Sequence, residues 1–313
     1  MVIGSSINNR FPTTPDSLIP CFPETDPSHY VPWPFVTEFN ASGTALVYSS
    51  FLRKRPVAHD SSGNLYLPSD TAILERVNIS TPLPPGPRCV TNAASFWGTA
   101  VSPGEIVSLF GPSIGPDTPA TLELDDAGRV SSRLSEIRVL FNAMPAPLLY
   151  VSKNQINAVV PFGVAGLSQV TIQIERNGAS DMPPLQTTVV ESAPGVFLGP
   201  SGAAAINQDG TINSKEHPAA RHSIVSIFLT GAGLMEPVPA DGAVPKLPYA
   251  KPVLPVSIDG GAEILYAGDA PGLVEGVVQI NFRLPKLAGD GLTPLQIQIG
   301  NYGDSGLPQI WIH

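Results

Sequence analysis

Ser113 sits in Gly111-Pro-Ser-Ile-Gly115, a match to the G-x-S-x-G pattern. In that pattern a strained strand-to-helix turn lifts a serine oxygen toward a histidine and an oxyanion hole. A β-branched run precedes the motif, but Pro116-Asp-Thr-Pro119 follows where a helix should start. The residues therefore predict a loop, and a hydrolase using Ser113 is the weaker alternative. The five histidines are His29, His59, His217, His222 and His313, with no H-E-x-x-H among them. Zinc needs three or four converging ligands, so these read as surface residues. Cys21 and Cys89 permit one disulfide at most. They read as two free buried thiols in preference to a bridge, which would require an oxidising compartment.

Asn207-Gln-Asp-Gly-Thr-Ile-Asn213 echoes a calcium loop, but its first position would be Ala205, so the frame is incomplete. A hairpin with a type I′ turn at Asp209-Gly210 is the better reading. Glu123, Asp125 and Asp126 run straight into Ala127-Gly128, as a solvated strand end and turn would. Gln155-Ile-Asn157 and Gln279-Ile-Asn281 are the sharpest repeated polar features. Amides suit sugar hydroxyls, yet repetition favours a role in the fold, with the amides bonding nearby backbone. Trp33, Trp97 and Trp311 are scattered, and packing in a core or seam is preferred to a carbohydrate platform. No glycine-rich phosphate loop follows a strand and opens a helix. No catalytic, cofactor-binding or metal-ligating residue is assigned, no cofactor is implied, and the chain is read as non-enzymatic.

The elements that would position these groups are strands. Proline and glycine interrupt nearly every window of helical length. Short apolar or alternating runs recur instead, at 106–110, 137–141, 170–174, 224–228, 277–282 and 295–299. Residues 101–190 also resemble residues 219–313. Ile106-Val-Ser-Leu-Phe110 matches Ile224-Val-Ser-Ile-Phe228, and Ala146-Pro-Leu-Leu-Tyr150 matches Ala262-Glu-Ile-Leu-Tyr266. Gln155-Ile-Asn157 matches Gln279-Ile-Asn281, and Thr171-Ile-Gln-Ile174 matches Gln296-Ile-Gln-Ile299. A repeat this long means tandem globular units, each suiting a seven-strand sandwich. The first 80 residues differ, with strand–turn–strand signals at 35–50 and 60–67 that read as one or two propeller blades.

The 313 residues carry a net charge of −9, and only 14% are charged. Such a chain has little to neutralise phosphates, so nucleic acid is excluded as a partner. No apolar run is long enough to span a bilayer, and the first residues lack the features of a signal peptide.

Asn92-Ala-Ala-Ser-Phe96, Pro103-Gly-Glu-Ile-Val107, Ala193-Pro-Gly-Val-Phe197 and Asn207-Gln-Asp-Gly210 add to the repeated motifs. Together, over about residues 90–313, they resemble the recurrent Ig-like C-terminal region of large exported proteins of acidobacteria such as Solibacter. Residues 1–80 resemble the bacterial propeller repeat that often precedes that region, through Phe11-Pro-Thr-Thr14, Ser42-Gly-Thr-Ala-Leu-Val-Tyr-Ser49 and Asp60-Ser-Ser-Gly-Asn64. The resemblance implies export and a surface or secreted role, and no activity.

The expectation is an all-β chain. It has a partial blade-like segment at 1–80, a proline-rich linker at 81–90, and two Ig-like sandwiches at 91–198 and 199–313. Its expected function is that of a structural or adhesive module at the C-terminal part of a larger propeller protein, with an extracellular polysaccharide or protein as partner. A glycan-binding accessory region is the alternative.

Overall fold

The computed structural model describes residues 1–8, 11–14, 16–22, 32–69, 74–258, 260–285, 289–304, 306 and 308–313. The chain is all-β, as the alternation predicts. Among the described residues the one helical element is a 3-10 turn at Phe162–Val164, no sheet closes on itself, and no helix is long and apolar enough to cross a membrane.

The N-terminal segment holds β1 (Val2–Ser6), β2 (Trp33–Phe39), β3 (Leu46–Phe51), β4 (Ala58–His59), β5 (Asn64–Pro68) and β6 (Leu74–Asn78). They form two antiparallel three-stranded sheets, β1-β2-β3 and β4-β5-β6. Val36 and Tyr48 of the first meet Leu65 and Leu67 of the second in one small core. The β4–β5 turn is built by Asp60. Its carboxylate accepts from the Ser62 and Asn64 backbone N–H groups at 2.9 and 3.1 Å and from the Asn64 amide and Tyr66 hydroxyl at 2.8 and 3.0 Å. Gly63, at φ +76°, closes the turn where an L side chain would be strained.

The next unit contains β7 (Cys89–Asn92), β8 (Ile106–Phe110), β9 (Ala120–Thr121), β10 (Ile137–Phe141), β11 (Met144–Pro145), β12 (Leu148–Val151), β13 (Gln155–Val159), β14 (Gln169–Arg176) and β15 (Leu185–Thr188). One sheet runs β7-β8-β13-β12-β9 and the other β11-β10-β14-β15. Strand alternation sends Val107, Leu109 and Ile156 from the first sheet and Val139, Phe141 and Ile172 from the second into one core. The opposite face of the first sheet carries Thr91, Ser108, Phe110, Gln155 and Asn157.

The last unit contains β16 (Gly195–Val196), β17 (Leu198–Gly199), β18 (Gly202–Ala203), β19 (Ala205–Asn207), β20 (Ile224–Thr230), β21 (Met235–Glu236), β22 (Lys251–Pro252), β23 (Val256–Ile258), β24 (Glu263–Asp269), β25 (Val278–Arg283), β26 (Gly291–Pro294), β27 (Ile297–Ile299), β28 (Tyr302–Gly303) and β29 (Gln309–Ile312). Its main sheet runs β16-β20-β25-β24, and β23-β27-β28 with β26-β29 supplies the facing strands of a second core. Through β16, Gly195 and Val196 pair with Thr230 and Leu229 of β20 and join this sheet.

The repeat extends to hydrogen-bond register. Phe110 stands opposite Gln155 and Ser108 opposite Asn157; Phe228 stands opposite Gln279 and Ser226 opposite Asn281. A register shift falls between Leu148 and Tyr150 in one copy and between Ile264 and Tyr266 in the other, leaving each tyrosine across from its asparagine. One pairing differs in character. Ile106 faces Val159, whereas Ile224 faces Arg283, which is ion-paired to Glu263 at 3.0 Å.

The units dock directly. Ile106 and Val159 pack on Ala270 and Val277. The Ile106 N–H donates to the buried Thr230 hydroxyl at 2.7 Å, and the Phe162 N–H donates to the Asp241 carboxylate at 3.0 Å. Asn92 donates to the Ala193 carbonyl at 2.9 Å, holding the connection against the first unit.

Two expectations are corrected. Cys21 and Cys89 are both buried and form a disulfide, with Cα atoms 6.2 Å apart. The N-terminal segment lies on the outer face of β7 and brings together thiols 68 residues apart in sequence; spacing alone carries no sign of that. The turn at Asn207 is not type I′, since Gly210 has φ +85° while Asp209 keeps an ordinary backbone. The Gly210 N–H donates to the Asn207 carbonyl, and the Asn207 N–H to the Thr211 carbonyl. This is a three-residue loop in which glycine takes the left-handed position.

Candidate binding cleft

The bridge and an aromatic seam set the N-terminal segment against the first repeated unit. Phe22 stacks on Trp97 with centroids 4.9 Å apart and meets Phe51 edge-on at 5.4 Å. Beside this seam lies a cleft of about 780 Å³. Its floor is the outer face of adjacent strands, contributing Thr91 from β7, Phe110 from β8 and Gln155 from β13. Phe11, Thr13 and Cys21 wall one side; Asn154, the Asp117–Lys153 pair and Phe197 complete the rim.

Each polar group here has a definite state. Asn154 Oδ1 accepts from the Ser113 N–H at 3.1 Å, which leaves its Nδ2 as a donor. Gln155 Nε2 donates to Asn157 Oδ1 at 2.9 Å, which leaves its Oε1 as an acceptor. The Thr91 hydroxyl is buried without a protein partner among the described residues. Asp117 and Lys153 pair at 2.8 Å, and the ammonium holds the Asp117 carboxyl below the usual carboxylate range. Phe96, half-buried over the cleft near Phe110, has φ +57°. A bulky side chain rarely adopts that backbone.

A second cavity, about 280 Å³, lies where the two repeated units meet and includes Asn92, Trp97, Glu105 and Ser192. Ser102-Pro-Gly-Glu105 folds back so that Glu105 Oε2 accepts from the Ser102 N–H at 2.7 Å and its hydroxyl at 3.2 Å. Glu105 Oε1 and the Trp97 indole N–H have no protein partner among the described residues. Burial pushes the Glu105 carboxyl up to about 8, against the Ser102 donors.

The residues singled out in the sequence go to different places. Ser113 lies in a turn with φ +53°, followed by further turns and no helix. The turn is held by Asn154 and by Arg176, whose guanidinium donates to the Ser113 carbonyl. His59, His217, His222 and His313 do not gather there, and His29 lies outside the described residues. The Asp125 carboxylate accepts from the Ala127 and Arg129 N–H groups, both at 2.9 Å, and pairs with the Arg129 guanidinium. Among the described residues no group of three or more His, Cys, Asp or Glu is placed to hold a metal. The repeated amides bond each other, Gln279 Nε2 to Asn281 Oδ1 at 2.8 Å as in the first copy; their partners are side chains where backbone was expected. Trp97 belongs to the seam, and the Trp311 indole N–H donates to the Ser201 carbonyl at 3.0 Å. The cleft itself was not anticipated, and the one signal pointing toward it was the Gln155 motif. No protein-family model and no curated protein matches the chain.

Proposed function

We propose that the chain is a non-enzymatic module of an exported or cell-surface protein, with two Ig-like sandwiches following a blade-like segment, as the C-terminal part of a larger propeller protein. The Cys21–Cys89 bridge carries this reading, because structural disulfides persist in oxidising compartments. The motif resemblance over residues 90–313 supports it, and so does the meander pattern of the first six strands. The turn at Ser113, stitched to Asn154 and Arg176, supports a structural use of that serine.

The test is the intact mass, thiol state and cell fraction of the native product. The expected product fractionates outside the cytosol, and Cys21 and Cys89 resist iodoacetamide until reduced. A cytosolic product with two alkylatable thiols would overturn the proposal.

A further inference from the structure

We infer that the cleft between the N-terminal segment and the first repeated unit binds a neutral saccharide, a reading that deepens the surface-module proposal and rests on it. The volume, about 780 Å³, is that of a small-ligand site. Its lining joins phenyl rings to uncharged hydrogen-bonding groups. Asn154 offers a donor, Gln155 an acceptor, and Thr91 a hydroxyl capable of both roles. A pyranose has the matching surface, with an apolar C–H face for a ring and hydroxyls that both donate and accept.

Two further observations point to a ligand here. Thr91 is 2% exposed, lines the cleft, and its hydroxyl lacks a protein partner among the described residues. Phe96 lines the cleft, partly buried, on a backbone at φ +57° that a bulky side chain rarely adopts; such strain collects at functional sites. Charge narrows the class, because Asp117 and Lys153, the charged residues of the lining, neutralise each other. An anionic ligand would find no unpaired cation. Strand geometry disfavours an extended peptide. The floor is the face of the sheet, and its strands β8 and β13 are each paired on both sides, so a peptide lying across that face could not add to them as a strand.

The test is titration calorimetry of the full disulfide-bonded chain with cellohexaose, laminarihexaose, xylohexaose and chitohexaose, alongside an acetylated Ala-Phe-Leu-Ala peptide. At least one saccharide is expected to bind saturably at one site. Q155A should weaken it, and F96G should lower affinity by about tenfold or more while the thermal midpoint holds or rises, since glycine relieves the positive φ. A purely structural Phe96 would instead lose stability. Silence from all four saccharides, binding of the peptide alone, or affinity untouched by both variants would overturn the assignment. Shortened oligosaccharides after long incubation would overturn the non-enzymatic reading and leave the cleft assignment standing.

Discussion

At the scale of single residues Glu105 is a costly group to bury. Its side chain is wholly buried, one oxygen bonded to Ser102 and the other without a protein partner among the described residues. Burial raises its folded-state pKa from 4.5 to about 8. The folded protein therefore holds this proton more tightly than the unfolded chain does. The associated stability is fully present below about pH 4.5 and is lost as pH rises through about 8. Glutamine keeps an acceptor for Ser102 and has no proton to lose. Glu105→Gln should therefore gain on the wild type, by up to a few kcal/mol, between pH 5 and 8. Thermal melts of both proteins across that range measure it; parallel midpoint curves would refute it.

At the scale of elements the turns are set by a few backbone positions. Gly231 has φ +80°, and a Cβ there would lie 1.9 Å from the Ala193 carbonyl oxygen. That contact is where the connection joins β20, with the Ala193 N–H donating to the Gly231 carbonyl at 2.8 Å. Gly210 has a similar φ, +85°, but nothing lies within 4 Å of its Cβ position. Gly231→Ala should cost about 2–4 kcal/mol and Gly210→Ala about 1 kcal/mol, as measured by urea unfolding. Equal losses would mean that backbone conformation alone decides both.

The same scale explains what could be read from the chain. Strands such as β10, β14, β20 and β25 alternate cleanly because one face meets a core, so the period-2 pattern displays them. Turns with Asp60 or Asn207 followed by glycine show themselves by local chemistry, although the type at Asp209-Gly210 depends on which residue takes positive φ. The disulfide and the cleft did not show. Cys21 meets Cys89, and Phe11 faces Gln155 across the cleft, only because separate segments fold onto one sheet face. The burial of Glu105 was equally hidden, since residues far along the chain, among them Ser192 and Tyr302, complete the cavity around it.

At the scale of the whole molecule the two repeated units share buried polar contacts as well as apolar ones. Thr230 is fully buried and accepts the Ile106 N–H across the junction. Thr230→Val keeps the shape but strands that donor, at a cost of about 1–3 kcal/mol. Calorimetry should show the two units unfolding together in the wild type and separating in the variant. An unchanged single transition would mean that the hydrogen bond contributes little to the coupling.

The register repeat also limits how such units stack. The first unit offers Ile106 and Val159 as a seat for its neighbour, whereas the second presents Ile224 and Arg283 at the matching positions. A further copy seated there in the same way would have to strip water from Arg283 and Glu263, an ion pair now open to solvent. The matching face of the second unit is thus polar where that of the first is apolar.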